Sequence, residues 1–305
     1  MQRGWLLLLA ACGFQHGALS DGSLGTSDDS ASGNSDAPVG PGADAAAVAA
    51  DAPPDTIGTG AWTNIGVVLP GSPVGDDDPT LTGDLLEIYF NRNADIYVAT
   101  RTAIGQPWST PARVDELSST GNETTPEITS DGLFILIASD RNGTVGADDI
   151  WVSTRASRAA AWSAPVHINE LSSTTENAAS APTDDRLTIV QIGNPSGTDV
   201  QMYTASRATA TGTFSSPTAI PGANSAQSDY SPMLSQDRLT LYFDSNRSGN
   251  EELYVATRTT ATGTFSTPTI IADLSTTAEE TDPWVSPDGH HIFFVRGTVL
   301  YEASR

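Results

Sequence analysis

An all-β fold, a five-bladed β-propeller closed by its N-terminal strand, is what this chain of 305 residues predicts. Three observations lead there. A unit of about fifty residues recurs five times from residue 61 to 305. Each copy holds about four short runs of β-branched and aromatic residues, separated by Gly, Ser, Asp and Asn turns. The repeat is also out of phase with its ends. It opens on what is the last strand of a unit, around Trp62, and finishes on a third strand, around Tyr301.

The elements of the unit can be justified in turn. Its outermost strand is "AWTNIGVVL", "PWSTPARVDEL", "AWSAPVHINEL", "TFSSPTAIPGAN" or "TFSTPTIIADL", aligned on Trp62, Trp108, Trp162, Phe214 and Phe265. The innermost strand and the turn into the second follow, as in "TPEITSDGLFILI" and "SPMLSQDRLTLYF". They align on Asp84, Asp131, Asp185, Asp237 and Asp288, which are expected to hydrogen-bond their own turn backbone. The third strand reads "DIYVATR", "DIWVSTR", "QMYTASR", "ELYVATR" or "LYEASR". These runs are too short for helices, and no long helical stripe interrupts them. Stretches such as "IFFV" and "LYF" are continuously apolar, as strands buried on both faces are. If the N-terminal strand completes the last blade, the ring closes without an open end.

With the units in place, "ETDPWVSPDGHHIFFV", "LYFDSNRSGNEELYVATR" and "DIYVATR" resemble the propeller repeats of the TolB-like (WD-like) superfamily of bacterial envelope proteins. The resemblance covers about residues 61–305. It implies the propeller fold and an envelope setting, in a family of assembly proteins, peptidoglycan-associated proteins and lipoproteins.

The N-terminal sixty residues are a different material. Residues 1–11 carry one positive charge (Arg3), a short apolar run and then small residues, the layout of a secretory signal. "LAAC" resembles a bacterial lipobox, which implies a lipid on Cys12, with Gly13 after it leaning towards the outer membrane. Residues 12–60 are rich in Ser, Gly, Asp, Ala and Pro and poor in large apolar side chains, the composition of a disordered acidic linker. A lipid-anchored head on a tether is expected at the cell envelope, on the periplasmic side or the cell surface.

Charge narrows the partners. The net charge is −23, from 37 acidic residues against 14 basic ones, every one of them Arg. Such a balance argues against nucleic acid, whose phosphates need clustered cations. It leaves membrane contact only through the lipid on Cys12. An envelope protein, a peptide or a cell-wall glycan is the expected partner of a monomeric head. The single cysteine excludes intramolecular disulfides and multi-cysteine metal sites.

The candidate binding face is the one carrying the loops into the inner strands. Asp76, Glu123, Asn177, Asp229 and Glu280 recur there and are expected to ring the upper mouth of the central channel, with Asp78, Tyr230 and Asp282 nearby. Arg92, Arg141 and Arg247 fall on the same face. They are expected to pair with these acids, or with Asp95, Asp149 and Glu251, because features present in every blade serve what every blade needs. Asp140, Asp148 and Asp149 lie in "DRNGTVGADD", an oxygen-rich hairpin that gives calcium its one weak opening; no other cofactor is expected. His290 and His291 are adjacent on a strand and should face opposite ways. No catalytic motif is present, so a non-catalytic binding head is expected. The alternative is a glycoside hydrolase using two carboxylates from Asp76, Asp78, Asp229 and Asp282. Unit three departs most: its second turn lacks Gly and its hairpin lacks Arg, so a different local pairing is expected.

Overall fold

The computed structural model describes residues 60–71, 75–173, 175, 177–194 and 199–305. The signal segment, Cys12 and the acidic linker lie outside the described residues. The first strand, β1 (Thr63–Val67), belongs to the last blade. Blade one is β2 (Asp76–Leu81), β3 (Glu87–Arg92), β4 (Asp95–Thr100) and β5 (Ala112–Arg113). Blade two is β6 (Glu123–Ile128), β7 (Phe134–Ser139), β8 (Asp149–Thr154) and β9 (Val166–His167). Blade three is β10 (Asn177–Pro182), β11 (Thr188–Gly193), β12 (Gln201–Ser206) and β13 (Thr218–Ala219). Blade four is β14 (Asp229–Leu234), β15 (Thr240–Ser245), β16 (Glu252–Thr257) and β17 (Thr269–Ile270). Blade five is β18 (Glu280–Val285), β19 (His291–Arg296) and β20 (Val299–Ser304), completed by β1. One turn of 3-10 helix, Asn169–Leu171, is the only helical piece among the described residues.

All five sheets are antiparallel and ordered from inner to outer strand. The ring closes as the phase of the repeat predicts: β1 pairs with β20, Thr63 opposite Ser304 and Val67 opposite Tyr301. The inner strands β2, β6, β10, β14 and β18 each touch the next, and β18 returns to β2. They form the wall of the axial channel.

Second strands are buried along their whole length in β7, β11 and β15, which is why their sequences do not alternate. Phe90, Phe243, Phe293 and Phe294 are fully buried, each stabilising the fold by roughly 1.5–3 kcal/mol. The "ATR" signature has a specific task. Arg101, Arg155, Arg207, Arg258 and Arg305 stack their guanidinium groups over Trp108, Trp162, Phe214, Phe265 and Trp62, at 4.1–4.5 Å from the ring centroids. Their Nε–H groups donate to carbonyls of the first-to-second-strand turns, at Leu85, Gly132, Arg186, Arg238 and Gly289, over 2.6–2.8 Å. One side chain thus joins the third strand, the turn below and the outer-strand aromatic in every blade. Arg's planar fork suits this and an ammonium would not.

The turns form as expected. The carboxylates of Asp84, Asp131, Asp185, Asp237 and Asp288 accept the backbone N–H two residues on. Each also accepts the hydroxyl two residues back, from Thr82, Thr129, Thr183, Ser235 and Ser286. Three turn aspartates do more, since Arg158, Arg186 and Arg238 reach across from the next blade to Asp84, Asp131 and Asp185. Where Gly is missing from the turn of unit three, Arg186 itself takes the left-handed conformation, at φ 60°.

Candidate functional site

The repeated acids begin the inner strands. Asp76, Glu123, Asp229 and Glu280 are only 0–3% exposed, so they stand inside the blades and do not rim a solvent-facing mouth. An arginine from the second strand or its hairpin covers each one. Arg92 Nε donates to Asp76 at 2.5 Å, Arg141 lies 3.0 Å from Glu123, and Arg296 lies 2.8 Å from Glu280; Arg247 pairs with Asp229 in the same way. Three of these guanidiniums also donate to the carbonyls of Leu117, Ala223 and Leu274 in the loop before the inner strand. The acids take further hydrogen bonds from Ser119, Ser225 and Thr276, four residues upstream. Arg92, Arg247 and Arg296 are held between two aromatic rings apiece, and Arg141 lies over Trp151. Of the two pairings expected, the one with the strand-initial acids is realised. Asp95 pairs with Arg113 instead, and Asp149 with His167.

Blade three drops both charges together. Asn177 replaces the acid and bonds Ser173, while Gln191 Nε2 donates to the Leu171 carbonyl at 3.1 Å, where the other blades use a guanidinium. The different local pairing is therefore a neutral substitute for the same clamp.

The hairpin at 140–149 engages its oxygens within the protein, chiefly with residues outside it. Asp140 accepts the backbone N–H and side-chain amide of Asn122, at 2.6 and 2.8 Å. Asp149 is fully buried, accepts from the Val145 N–H at 2.5 Å and faces His167 at 3.0 Å. The Asp148 carbonyl accepts the N–H of Asn177, tying the hairpin to blade three. His291 faces Glu302 at 3.0 Å while His290 turns to the Arg305 carbonyl, so the two do diverge. Among the described residues, no group of three or more His, Cys, Asp or Glu is arranged to hold a metal ion.

The channel tells a different story. Each inner strand slips register after its second residue, as between Asp77 and Thr80 or between Thr281 and Trp284. In four blades the third residue is left-handed: Asp78, Thr125, Ser231 and Asp282, at φ 43–55°. That backbone is unfavourable for non-glycine residues, and the bulge, shared around the ring, imposes it. Side chains at these positions meet across blade boundaries. Ser231 Oγ donates to Asp282 at 2.6 Å, and the Asp282 N–H donates to Asp244 at 3.2 Å. The Asp282 carboxyl adjoins that of Asp78. The amide of Asn91, turned to place its nitrogen inward, donates to Asp78 at 2.5 Å. Two residues on, Thr80 Oγ1 donates to Glu127 at 3.2 Å.

Burial, and then the neighbouring Asp282 and Asp77 charges, hold the Asp78 carboxyl well above the ordinary range. Burial and the Asp282 charge do the same to Asp244. Glu127 is pushed up to about 8, chiefly by burial, with Thr80 pulling the other way. Among the described residues, no arginine is ion-paired with Asp78, Asp244 or Glu127 to reverse these shifts. Met233 and Trp284 occupy the strand position of Glu127 and line a small pocket with it. The cluster therefore combines Asp78 and Asp282, both sequence candidates, with Asp77, Glu127 and Asp244, which were not. Tyr230 lies beside it, opposite Asp244 in the strand pairing. The missed residues carried a signal. At Glu127 the other copies have Thr80, Ala181, Met233 and Trp284, and at Asp244 they have Asn91, Ala138, Ile192 and Val295.

No protein-family model and no curated protein matches the sequence. Solved structures do match its fold. The chain is similar to a putative TolB from Agrobacterium tumefaciens, with 16% identity over 74% of this chain and 71% of that one, at a TM-score of 0.50. It is similar to an endo-arabinase from Bacteroides thetaiotaomicron, with 14% identity over 78% and 96% of the two chains, at a TM-score of 0.58. An α-L-arabinofuranosidase from Lactobacillus brevis aligns with 13% identity over 77% and 92%, at 0.52. The likeness to TolB propellers holds, and it is a likeness of fold. Fold of this kind carries both binders and hydrolases, so function rests on the site.

Proposed function

We propose that the chain is a non-catalytic binding module of the cell envelope, held by a lipid on Cys12, whose propeller head engages an envelope protein, a peptide or a cell-wall glycan. One observation carries the reading. The repeated carboxylates are sealed against arginine, and Asp78 and Asp282 lie side by side in a buried cluster. Glycoside hydrolysis instead keeps its two carboxyl groups about 5–5.5 Å or 6.5–9.5 Å apart, to admit a sugar carbon or a water between them. The fold likeness to TolB supports the envelope setting.

A hydrolase is the second reading, favoured by Glu127. A carboxyl pushed up to about 8 is protonated at neutral pH, as a general acid must be. The likeness to arabinan-degrading propellers makes arabinan the first substrate to try. The test uses the full-length chain, with crosslinked capture from envelope extracts run beside release of sugar from arabinan. Capture that depends on the channel residues, without hydrolysis, is the expected result. Hydrolysis abolished by Glu127→Gln would replace the binding reading with the enzymatic one. Uptake of labelled palmitate by a Cys12→Ser variant would remove the lipid anchor.

A further inference from the structure

The outer edges of the five blades are not alike. In blades one to four the aromatic is followed three residues later by proline, at Pro111, Pro165, Pro217 and Pro268, and the outer strand is cut to two residues. A proline on an edge strand removes an outward N–H and deters pairing with another chain. Blade five lacks that guard. The residue three after Trp62 is Ile65, the strand β1 runs for five residues, and all five are exposed. Ile65, within the bulge of β1 between Thr63 and Gly66, and Val67 beyond it are 41% and 42% exposed. Among the described residues, β1 pairs on one side only, with β20.

Beside this edge runs a cleft of about 750 Å³ between blades five and one, lined by Val67, Pro70, Trp108 and Pro111. Its charged groups are already matched, Arg92 with Asp76 and Arg101 with Glu302. Trp108 is half-buried there, whereas Trp62, Trp162, Phe214 and Phe265, its counterparts in the other blades, are buried. The open strand edge and the open aromatic cleft therefore coincide at the ring's closing seam. An added strand needs both, the edge for its backbone hydrogen bonds and the cleft for alternate side chains.

We propose that the free edge of β1 receives an extended peptide strand of neutral or basic sequence, with alternate apolar side chains seated in the cleft against Val67 and Trp108. The occupant follows from charge. A net charge of −23 opposes a second copy of this chain and an acidic peptide, and favours a neutral or basic one. The site lies apart from the channel and holds under either reading of it.

The test is selection of a random octapeptide display library on the full-length chain, followed by fluorescence anisotropy with the enriched peptides. Enriched sequences are expected to alternate apolar and polar residues and to be neutral or basic. Ile65→Pro, which gives blade five the residue of the other four, is expected to weaken binding at least tenfold while leaving the melting temperature close to that of the parent. Trp108→Ala should weaken it less. The same peptides N-methylated on alternate amides keep their side chains and should also lose at least tenfold, a measurement that needs no protein variant. Peptides that bind the Ile65→Pro chain or bind after N-methylation as well as before would overturn the proposal. So would failure to enrich any peptide, or an Ile65-dependent homodimer in sedimentation.

Discussion

Two sets of carboxylates stand two residues apart on the same inner strands, and they are treated in opposite ways. Asp76 and Glu280 open β2 and β18 and are neutralised by Arg92 and Arg296. Asp78 and Asp282, next but one along, adjoin each other and among the described residues are in no salt bridge, and burial with the Asp282 charge holds the Asp78 carboxyl above the ordinary range. The first set recurs around the ring, and blade three shows what the recurrence is for, because Asn177 and Gln191 hold the same loop without any charge. The second set is confined to one arc of the channel, from Asp244 through Asp282 and Asp78 to Glu127. Repetition here marks construction.

The comparison can be broken most severely at the clamp. Arg247→Ala leaves Asp229 buried without its cation and should cost about 3–5 kcal/mol in urea unfolding. The double change Asp229→Asn with Arg247→Gln removes both charges together, as blade three lacks both, and should cost no more than about 1 kcal/mol, since neither charge is left stranded. Equal losses from the single and double variants would mean that the charge itself is needed.

The channel carboxyls should respond to pH in the opposite sense to ordinary paired acids. Their native forms hold protons that the unfolded chain releases. Stability from this source is therefore full below about pH 4.5 and declines as pH rises towards the Glu127 value of about 8. Glu127→Gln should flatten that decline and leave the chain more stable than the parent at pH 8. The gain should be about 1–3 kcal/mol, reduced from the full linkage because the side chain is part-exposed. Thermal melts of both proteins from pH 4.5 to 8 measure the difference. The smallest effect belongs to the exposed pairs between blades. Arg186→Ala removes the contact to Asp131 and should change the unfolding free energy by no more than about 1 kcal/mol, less at high salt.

Much of this molecule was legible in the sequence because a propeller repeats its physics. Trp62 and Tyr301 gave away the closing blade, and Asp131 with its four counterparts announced the turns. What escaped was whatever depends on neighbours in space. The acids expected at an open mouth are inside the blades, because each is roofed by an arginine from the adjoining strand, and strand alternation alone does not reveal the roof. Glu127 and Asp244 escaped for the converse reason. They occur once, so aligning the copies passed over them, and only the meeting of four blades at the axis brings them to Asp78 and Asp282. Ile65 was visible as the one outer-strand position where proline is missing, but its meaning needed the exposed edge.

The central claim is that burial in the channel keeps the carboxyls of Asp78 and Glu127 protonated to higher pH than ordinary carboxyls. Carboxyl carbon resonances of the full-length chain, labelled at Asp and Glu and followed from pH 4 to 9, test it most directly. The account predicts a carboxyl still protonated at pH 7 that is lost in Glu127→Gln. A spectrum in which every carboxyl is ionised by pH 6 would contradict it.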